Sequence, residues 1–177
     1  MEIDLGRVTG DRVPLDRVYP ASVFPAAGEE YRVIGETVLA AVLRREPPRW
    51  GVAGRVTSTL ELTCSRCLEP LSWPVDASFD LLYLPQRENA GAGEVEIDED
   101  GLRVAYYREG VLDLGQLLRE QFYLALPMKP LCSPDCRGLC PECGANLNDA
   151  LCECRPVWVD PRLAPLAGWR SDPKDQG

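Results

Sequence analysis

Six of the eight cysteines in this 177-residue chain lie close together near its C-terminal end. They form the series Cys-x3-Cys-x3-Cys-x2-Cys-x8-Cys-x-Cys between Cys132 and Cys154, and the other two form a Cys-x2-Cys pair at Cys64 and Cys67. After Pro127 apolar periodicity is lost, so this segment cannot bury enough apolar surface to fold by itself. Metal ligation stabilises segments of this kind. The cysteine series therefore predicts a metal-binding module.

The compartment affects how the cysteines are interpreted. The N-terminal sequence MEIDLGRVTGDRVPLDRV is charged throughout, unlike a secretory signal peptide. No apolar run reaches the roughly 18 residues that a membrane-spanning helix needs. We therefore expect a cytoplasmic protein that does not contact a membrane. In a reducing compartment, clustered cysteines bind metal more often than they form disulfides, and thiol chemistry is the alternative.

The chain contains no histidine. This excludes Ser–His and Cys–His nucleophilic catalysis as those mechanisms are usually built. A zinc site would have to use cysteine, and a site of four thiolates has no open coordination position and is normally structural. We therefore expect zinc as the cofactor and no enzymatic activity.

Ligand counting divides the cysteines into two predicted sites of four. The sequence CPECG at residues 140–144 has the proline and glycine of a zinc knuckle, and its nearest partner pair is the closing Cys-x-Cys. The predicted sets are Cys140, Cys143, Cys152 and Cys154 at one site, and Cys64, Cys67, Cys132 and Cys136 at the other. The alternative is one site made of the first four cysteines of the C-terminal series, with the other thiols free or redox-active.

The rest of the chain reads mainly as β-structure. Residues 52–64 and 72–84 alternate apolar and polar side chains around the turn CSRCLEP, which predicts a hairpin with two cysteines at its tip. A helix is predicted near residues 113–125, because Asp113 can cap it and apolar residues recur at helical spacing. We expect an α+β fold, with an antiparallel β-sheet or partly open barrel, one packed helix and a C-terminal zinc module.

The change in composition along the chain suggests three parts. The predicted divisions are an antiparallel β core over residues 1–127, a cysteine-rich zinc module over 128–160 and a flexible tail over 161–177.

The net charge of −9 argues against a protein that binds nucleic acid by bulk electrostatics. The charge is unevenly distributed, however, because acidic residues concentrate between Glu94 and Asp100. The candidate nucleic-acid-binding residues are Arg49, Arg55, Arg66 and Arg137. The plainer interpretations are a solvated acidic loop and arginines that offset the negative charge of the thiolate sites.

Four sequence features in order resemble the YceD-like family, the large ribosomal RNA subunit accumulation proteins. They are the hairpin LTCSRCLEPL, the capped helix DLGQLLREQFYLALPMKPLC, the segment CSPDCRGLCPECGANLN and the closing CEC, which together span about residues 57–154. The resemblance implies a role in accumulation of 23S ribosomal RNA and assembly of the large ribosomal subunit. Ribosomal RNA or a large-subunit precursor is then the expected partner.

Three functions are open at this point. The first is a non-catalytic ribosome-assembly factor that uses the arginine-bearing surface. The second is a protein–protein adaptor whose acidic run at residues 94–100 docks a basic partner, such as a ribosomal protein. The third is a thiol-redox or metal-handling protein that uses Cys64 and Cys67. It is the least favoured, because a hairpin offers no helix N-terminus to lower a thiol pKa.

Overall fold

The computed structural model describes residues 1–25, 30–47, 49–86, 103–150, 152–154 and 162–163. The elements are β1 (Glu2–Asp4), β2 (Arg12–Tyr19), β3 (Arg32–Val33), β4 (Thr37–Glu46), β5 (Arg49–Thr63), β6 (Pro70–Pro85), β7 (Val104–Tyr107), β8 (Val111–Asp113) and helix α1 (Leu114–Ala125). The main sheet has the order β2-β4-β5-β6-β7, and β3 pairs with β5 beside this path. Strands β1 and β8 form a separate two-stranded sheet.

Strands β5 and β6 form a long hairpin that runs through the middle of the main sheet. Their register extends from Trp50 opposite Tyr83 to Thr63 opposite Pro70. Because side chains alternate between the two faces of a strand, the apolar residues of β5 share one face. Val52, Val56 and Leu60 on that face are fully buried. The hairpin thus carries the core at one end and the Cys64–Cys67 turn at the other.

Helix α1 covers the apolar face of the sheet. Asp113 caps it, since its Oδ1 accepts hydrogen bonds from the Gly115 and Gln116 backbone N–H groups at 2.7 and 3.3 Å. Leu118 and Phe122 are fully buried in the same core as the β5 side chains. Capping and an apolar stripe, both visible in the sequence, therefore position the helix over the sheet.

The sheet is open and mixed, and this corrects part of the predicted fold. A mostly antiparallel sheet with one packed helix is confirmed, and the sheet does not close into a barrel, because β2 and β7 are edge strands. Strand β7 also lies parallel to β6, with Leu82 opposite Val104. A parallel pair needs a long crossover, and the connection between Gln86 and Arg103 is long enough to supply one.

The segment after α1 contains the C-terminal cysteines and is built from turns. The boundary between the β core and the cysteine-rich module, which the sequence places near residue 128, stays a prediction. The acidic run at residues 94–100 lies outside the described residues, as does the predicted tail at 161–177 apart from residues 162–163. In the described part of the chain, no helix has both the length and the apolar character needed to cross a membrane.

Candidate metal centre

The structure gathers the eight cysteines into two groups of four. In each group the sulfur atoms all lie within 4.8 Å of one another. Group 1 consists of Cys64, Cys67, Cys132 and Cys136, and group 2 consists of Cys140, Cys143, Cys152 and Cys154. These groups have the same members as the two sets that ligand counting predicts. Each can hold a metal ion.

Group 1 begins with a tight turn at the tip of the β5–β6 hairpin. The Leu68 backbone N–H donates to the Cys64 carbonyl at 3.0 Å, and the Cys64 N–H donates to the Glu69 carbonyl at 2.9 Å. Leu68 has a φ of 63°, in the left-handed region that non-glycine residues rarely adopt. The turn therefore forces a leucine into an unfavourable conformation in order to bring two thiols together.

Group 2 begins with the same turn. The Gly144 N–H donates to the Cys140 carbonyl at 2.9 Å, and the Cys140 N–H donates to the Ala145 carbonyl at 2.8 Å. Gly144, with a φ of 73°, occupies the position that Leu68 occupies in group 1. Two separate parts of the chain thus form the same knuckle, with glycine at the left-handed position of only one of them.

The sulfur–sulfur distances in group 1 fit one tetrahedral ion. They are 3.8 Å between Cys64 and Cys136 and 3.6 Å between Cys67 and Cys132. Four thiolates about 2.3 Å from a tetrahedral zinc ion lie about 3.8 Å from one another. A disulfide needs about 2.05 Å, and all eight cysteines are free. The donor set and its spacing therefore suit a closed metal site.

The two groups differ in their exposure to solvent. In group 1 Cys64, Cys67 and Cys136 are buried and only Cys132 is exposed. In group 2 Cys140 is the only buried member, while Cys143 and Cys154 are exposed. Water and competing chelators therefore have easier access to group 2.

Backbone hydrogen bonds prepare the first cysteine of each knuckle for ionisation. The pKa of Cys64 is lowered to about 6, chiefly by the Cys67 N–H, although burial opposes this. The pKa of Cys140 is lowered to about 7, chiefly by the Cys143 N–H. By contrast, the pKa of Cys132 is raised to about 12, chiefly by its hydrogen bond with the Cys136 thiol. Because thiolates are the metal-binding form of cysteine, binding of a metal ion to either group would release the protons of its thiols.

Arg66 fastens the hairpin tip to the C-terminal segment. Its guanidinium Nη1 donates to the Cys136 carbonyl at 2.8 Å, and its own carbonyl accepts from the Leu139 N–H at 3.0 Å. Gly138 packs so closely that a Cβ there would lie 3.0 Å from the Arg66 carbonyl oxygen. Arg66 thus holds the stretch of chain between Cys136 of group 1 and Cys140 of group 2.

Asn148, which lies between Cys143 and Cys152 of group 2 in the sequence, contacts a sulfur of group 1, a role that sequence reasoning missed. Its Nδ2 donates to the Cys136 sulfur at 3.4 Å, and its Oδ1 accepts from the Arg137 N–H at 2.8 Å. The Asn148 amide is also the main cause of the lowered Cys136 pKa. In the sequence Asn148 is only a turn former, and nothing in the spacing signals a contact with a sulfur 12 residues away.

The predicted nucleic-acid-binding arginines do not lie together. Arg66 and Arg137 are both in the segment around group 1, whereas Arg55 lies in the middle of β5 and forms an ion pair with Asp76. Arg49 begins β5, which is 15 residues long, so it lies on the order of 45 Å from the hairpin tip. Sequence proximity along one long strand therefore does not give one compact basic surface.

Comparison with known proteins identifies a family whose sequence model matches this chain. The family described as "Large ribosomal RNA subunit accumulation protein YceD" matches residues 52–169, which include both cysteine groups. The chain belongs to the YceD family. The resemblance seen in the sequence is thereby confirmed.

Curated relatives of this YceD protein occur in plants and mycobacteria. A chloroplastic large ribosomal RNA subunit accumulation protein YCED homolog 1 from Zea mays is 30% identical over 155 residues, which is 74% of this chain and 53% of the relative. An uncharacterised protein from Mycobacterium tuberculosis H37Rv is 35% identical over 115 residues, or 65% of this chain and 53% of the relative. The chain thus spans about half the length of these relatives. No solved structure matches it.

Proposed function

We propose that the chain is a non-catalytic ribosome-assembly factor that supports accumulation of 23S ribosomal RNA and of the large ribosomal subunit in the cytoplasm. The observation that carries the proposal is the match to the YceD family over residues 52–169. The name of the maize relative, which refers to large ribosomal RNA subunit accumulation, supports it. The proposed partner is ribosomal RNA or a large-subunit precursor.

The second part of the proposal is that each cysteine group holds a zinc ion. Four cysteine sulfurs are the donor set of closed structural zinc sites, and the spacing in group 1 suits tetrahedral coordination. Since such a site has no open position, zinc here would stabilise the fold rather than activate a substrate. The zinc would fix the position of the segment that carries Arg137 against the hairpin.

The burial of the cysteines argues against the thiol-redox alternative. A reactive cysteine needs a thiolate that its oxidant can reach. The pKa of Cys64 is lowered, but its side chain is fully buried, and Cys67 is only 3% exposed. Burial shields Cys64 and Cys67 from oxidants, which supports a structural role for these two cysteines.

The RNA-contacting surface is proposed to lie at the hairpin tip, around Arg66 and Arg137. Arg137 has an exposed side chain and directly follows Cys136 of group 1 in the sequence. Arg55 is the weakest of the candidate arginines, because Asp76 already neutralises its charge. Arg49 would require a second contact at the far end of the sheet.

The experiment is to crosslink the tagged chain in growing cells and to sequence the attached RNA. We expect 23S ribosomal RNA to be enriched, and Arg137→Gln to reduce the yield of crosslinked RNA severalfold. Arg17→Gln is the matched control, since Arg17 is exposed on edge strand β2, away from the cysteine groups. Absence of 23S enrichment in the unaltered chain would refute the proposed function. Equal loss in both variants would refute the proposed surface.

A further inference from the structure

An open cavity of about 430 Å³ lies on the outer face of the main sheet, the face turned away from the core and helix α1. Its size falls within the range of about 300–1,000 Å³ that is typical of small-ligand sites. Side chains of β2, β4 and β5 line it, namely Arg12, Pro14, Val42, Arg44 and Ala53. Two of these five are cationic and three are apolar. The cavity therefore suits a ligand that is anionic in one part and apolar in another.

The strand register arranges the lining side chains in two rows. Pro14 of β2, Val42 of β4 and Ala53 of β5 lie side by side across the three strands. Two residues further along, Arg12 of β2 lies directly opposite Arg44 of β4. Side chains two residues apart point to the same face of a strand. An apolar row and a cationic row thus lie next to each other on one face of the sheet.

Arg44 is held against the sheet by its neighbours. Gly51 lies opposite it on β5, and a Cβ at Gly51 would be 3.0 Å from Arg44 Nε. The Arg44 Nη2 donates to Asp80 Oδ1 at 2.7 Å. The missing side chain at Gly51 therefore leaves room for the guanidinium group, and the ion pair with Asp80 fixes this group beside the apolar row.

One hydrogen-bond donor of Arg44 has no acceptor. In the part of the chain that the structure describes, its Nε is the only buried side-chain nitrogen or oxygen without a hydrogen-bond partner. Glu46 Oε1 lies 3.5 Å from this nitrogen, which is within ion-pair range but does not make a hydrogen bond. Buried polar groups are almost always hydrogen-bonded. An unpaired donor on a residue that lines a cavity therefore points to an acceptor supplied by a ligand.

The arginines on this face carry positive charge that the chain leaves unbalanced. Among the described residues, neither Arg12 nor Arg49 forms an ion pair. Arg49 lies on the same face of β5 as Gly51, two residues or about 7 Å away. Like charges at directly opposed positions, such as Arg12 and Arg44, destabilise a pair of strands. An anion between Arg12 and Arg44 would turn this repulsion into attraction.

A nucleotide of RNA has the chemistry that the cavity requires. Guanidinium groups bind phosphate through paired hydrogen bonds and stack on the flat faces of bases. The base and ribose also present apolar surface to side chains such as Pro14 and Val42. A single strand fits better than a duplex, because only unstacked bases can leave the strand and enter a cavity.

We propose that this cavity binds one nucleotide of a single-stranded stretch of RNA. Its phosphate lies between Arg12 and Arg44, its base packs on the apolar row, and the next phosphate contacts Arg49. The inference deepens the proposed function and rests on it for the choice of RNA as the ligand. Because the cavity is at the opposite end of β5 from the hairpin tip, the chain would contact RNA at both ends of its long hairpin.

The test measures fluorescence anisotropy of a short fluorescein-labelled oligouridine, titrated with the full chain at low salt. The site variant combines Arg12→Gln with Arg49→Gln and leaves the ion-paired Arg44 in place. We expect about tenfold weaker binding, and a plot of log affinity against log salt that is shallower by about 0.7 for each phosphate contact removed. The charge-matched control combines Arg17→Gln with Arg103→Gln, two exposed residues outside the cavity, and should bind like the unaltered chain.

A second measurement keeps the test decisive if the site variant misfolds. An oligonucleotide that contains 4-thiouridine is photo-crosslinked to the unaltered chain, and mass spectrometry should locate the attachment at Pro14, Val42, Ala53 or their neighbours. Attachment only at other positions, equal affinity of the site and control variants, or no binding by the unaltered chain would overturn the proposal. So would a polyglutamate peptide that binds more tightly than the RNA and loses affinity in the site variant, since the ligand would then be an acidic protein segment.

Crosslinking in cells separates this inference from the proposed function. The site variant should lose part of the 23S crosslinks and keep those that Arg137→Gln removes. An unchanged crosslink pattern in the site variant would overturn the inference and leave the proposed function standing. Absence of 23S enrichment in the unaltered chain would refute the proposed function, and the oligonucleotide measurements would then decide on the cavity alone.

Discussion

The sulfur atoms of Cys64 and Cys136 lie 3.8 Å apart, although 72 residues separate the two cysteines in the sequence. The loop that they close contains β6, β7, β8 and helix α1. Metal clips that close long loops remove much conformational freedom from the unfolded chain. Group 1 therefore joins the tip of the central hairpin to the segment after the helix, and its loss should affect the whole fold.

The first prediction concerns the order of metal loss. We expect two zinc ions per chain and a two-phase release to a chromogenic chelator, with one ion in each phase. The fast phase should come from group 2, because Cys143 and Cys154 are exposed, and the slow phase from the buried group 1. Cys152→Ser should abolish the fast phase and Cys136→Ser the slow one. If the unaltered chain released its zinc in a single phase, the chelator would have equal access to both groups, contrary to this prediction.

The second prediction concerns Asn148. Asn148→Ala removes the amide that donates to the Cys136 sulfur, and hydrogen bonds to metal ligands typically contribute about 10- to 100-fold to metal affinity. We expect a loss of that size at group 1, measured by chelator competition. Asp149→Ala, at the next position, is the control and should keep the original affinity. If both variants bound zinc equally well, Asn148 would be only a turn former.

The third prediction uses the two knuckles as a matched pair. Leu68 adopts a left-handed conformation that costs a non-glycine residue about 1–2 kcal/mol, and its side chain is 62% exposed. Leu68→Gly should therefore leave the free energy of unfolding unchanged or raise it by up to about 1 kcal/mol. Gly144→Ala should lower it by about 1 kcal/mol, although its new Cβ meets no atom within 4 Å. Denaturant unfolding of the zinc-loaded variants measures both. If Leu68→Gly and Gly144→Ala both lowered the free energy of unfolding by a similar amount, backbone strain at Leu68 would be refuted.

The fourth prediction concerns pH. The Arg55 guanidinium lowers the pKa of the Asp76 carboxyl below its ordinary value of 3.8. The ion pair therefore contributes stability above about pH 3.8, and this contribution is lost as the pH falls through the lower folded value. Asp76→Asn should be slightly less stable than the unaltered chain at pH 7, and the difference should vanish at the acidic end. Because the pair is exposed, high salt should shrink the difference at pH 7 as well. If Asp76→Asn were still less stable than the unaltered chain at acidic pH, its lower stability would have a cause other than loss of the ion pair.

Several features of the fold could be predicted from local sequence. The helix cap at Asp113 and the hairpin around CSRCLEP depend on neighbouring residues, and the structure contains both. Ligand counting also gives two sets of cysteines with the same members as the two groups of sulfurs. Occupation of these groups by zinc remains a prediction.

Other features depend on contacts that periodicity does not encode. The alternation in β7 is the same for parallel and antiparallel pairing, so the sequence does not show that β7 runs parallel to β6. The contact between Asn148 and Cys136 arises only when separate parts of the C-terminal segment meet. Likewise, Arg49 and Arg66 are close in sequence, but an extended strand carries them to opposite ends of the sheet.

Group 1 also imposes an order on biosynthesis. Cys64 and Cys67 leave the ribosome before Cys132 and Cys136 have been translated, so the four-sulfur cluster cannot be completed during that interval. The growing chain then carries a hairpin with two unprotected thiols. Translational pausing before residue 132 would prolong this oxidation-sensitive stage, and synthesis past residue 136 would end it.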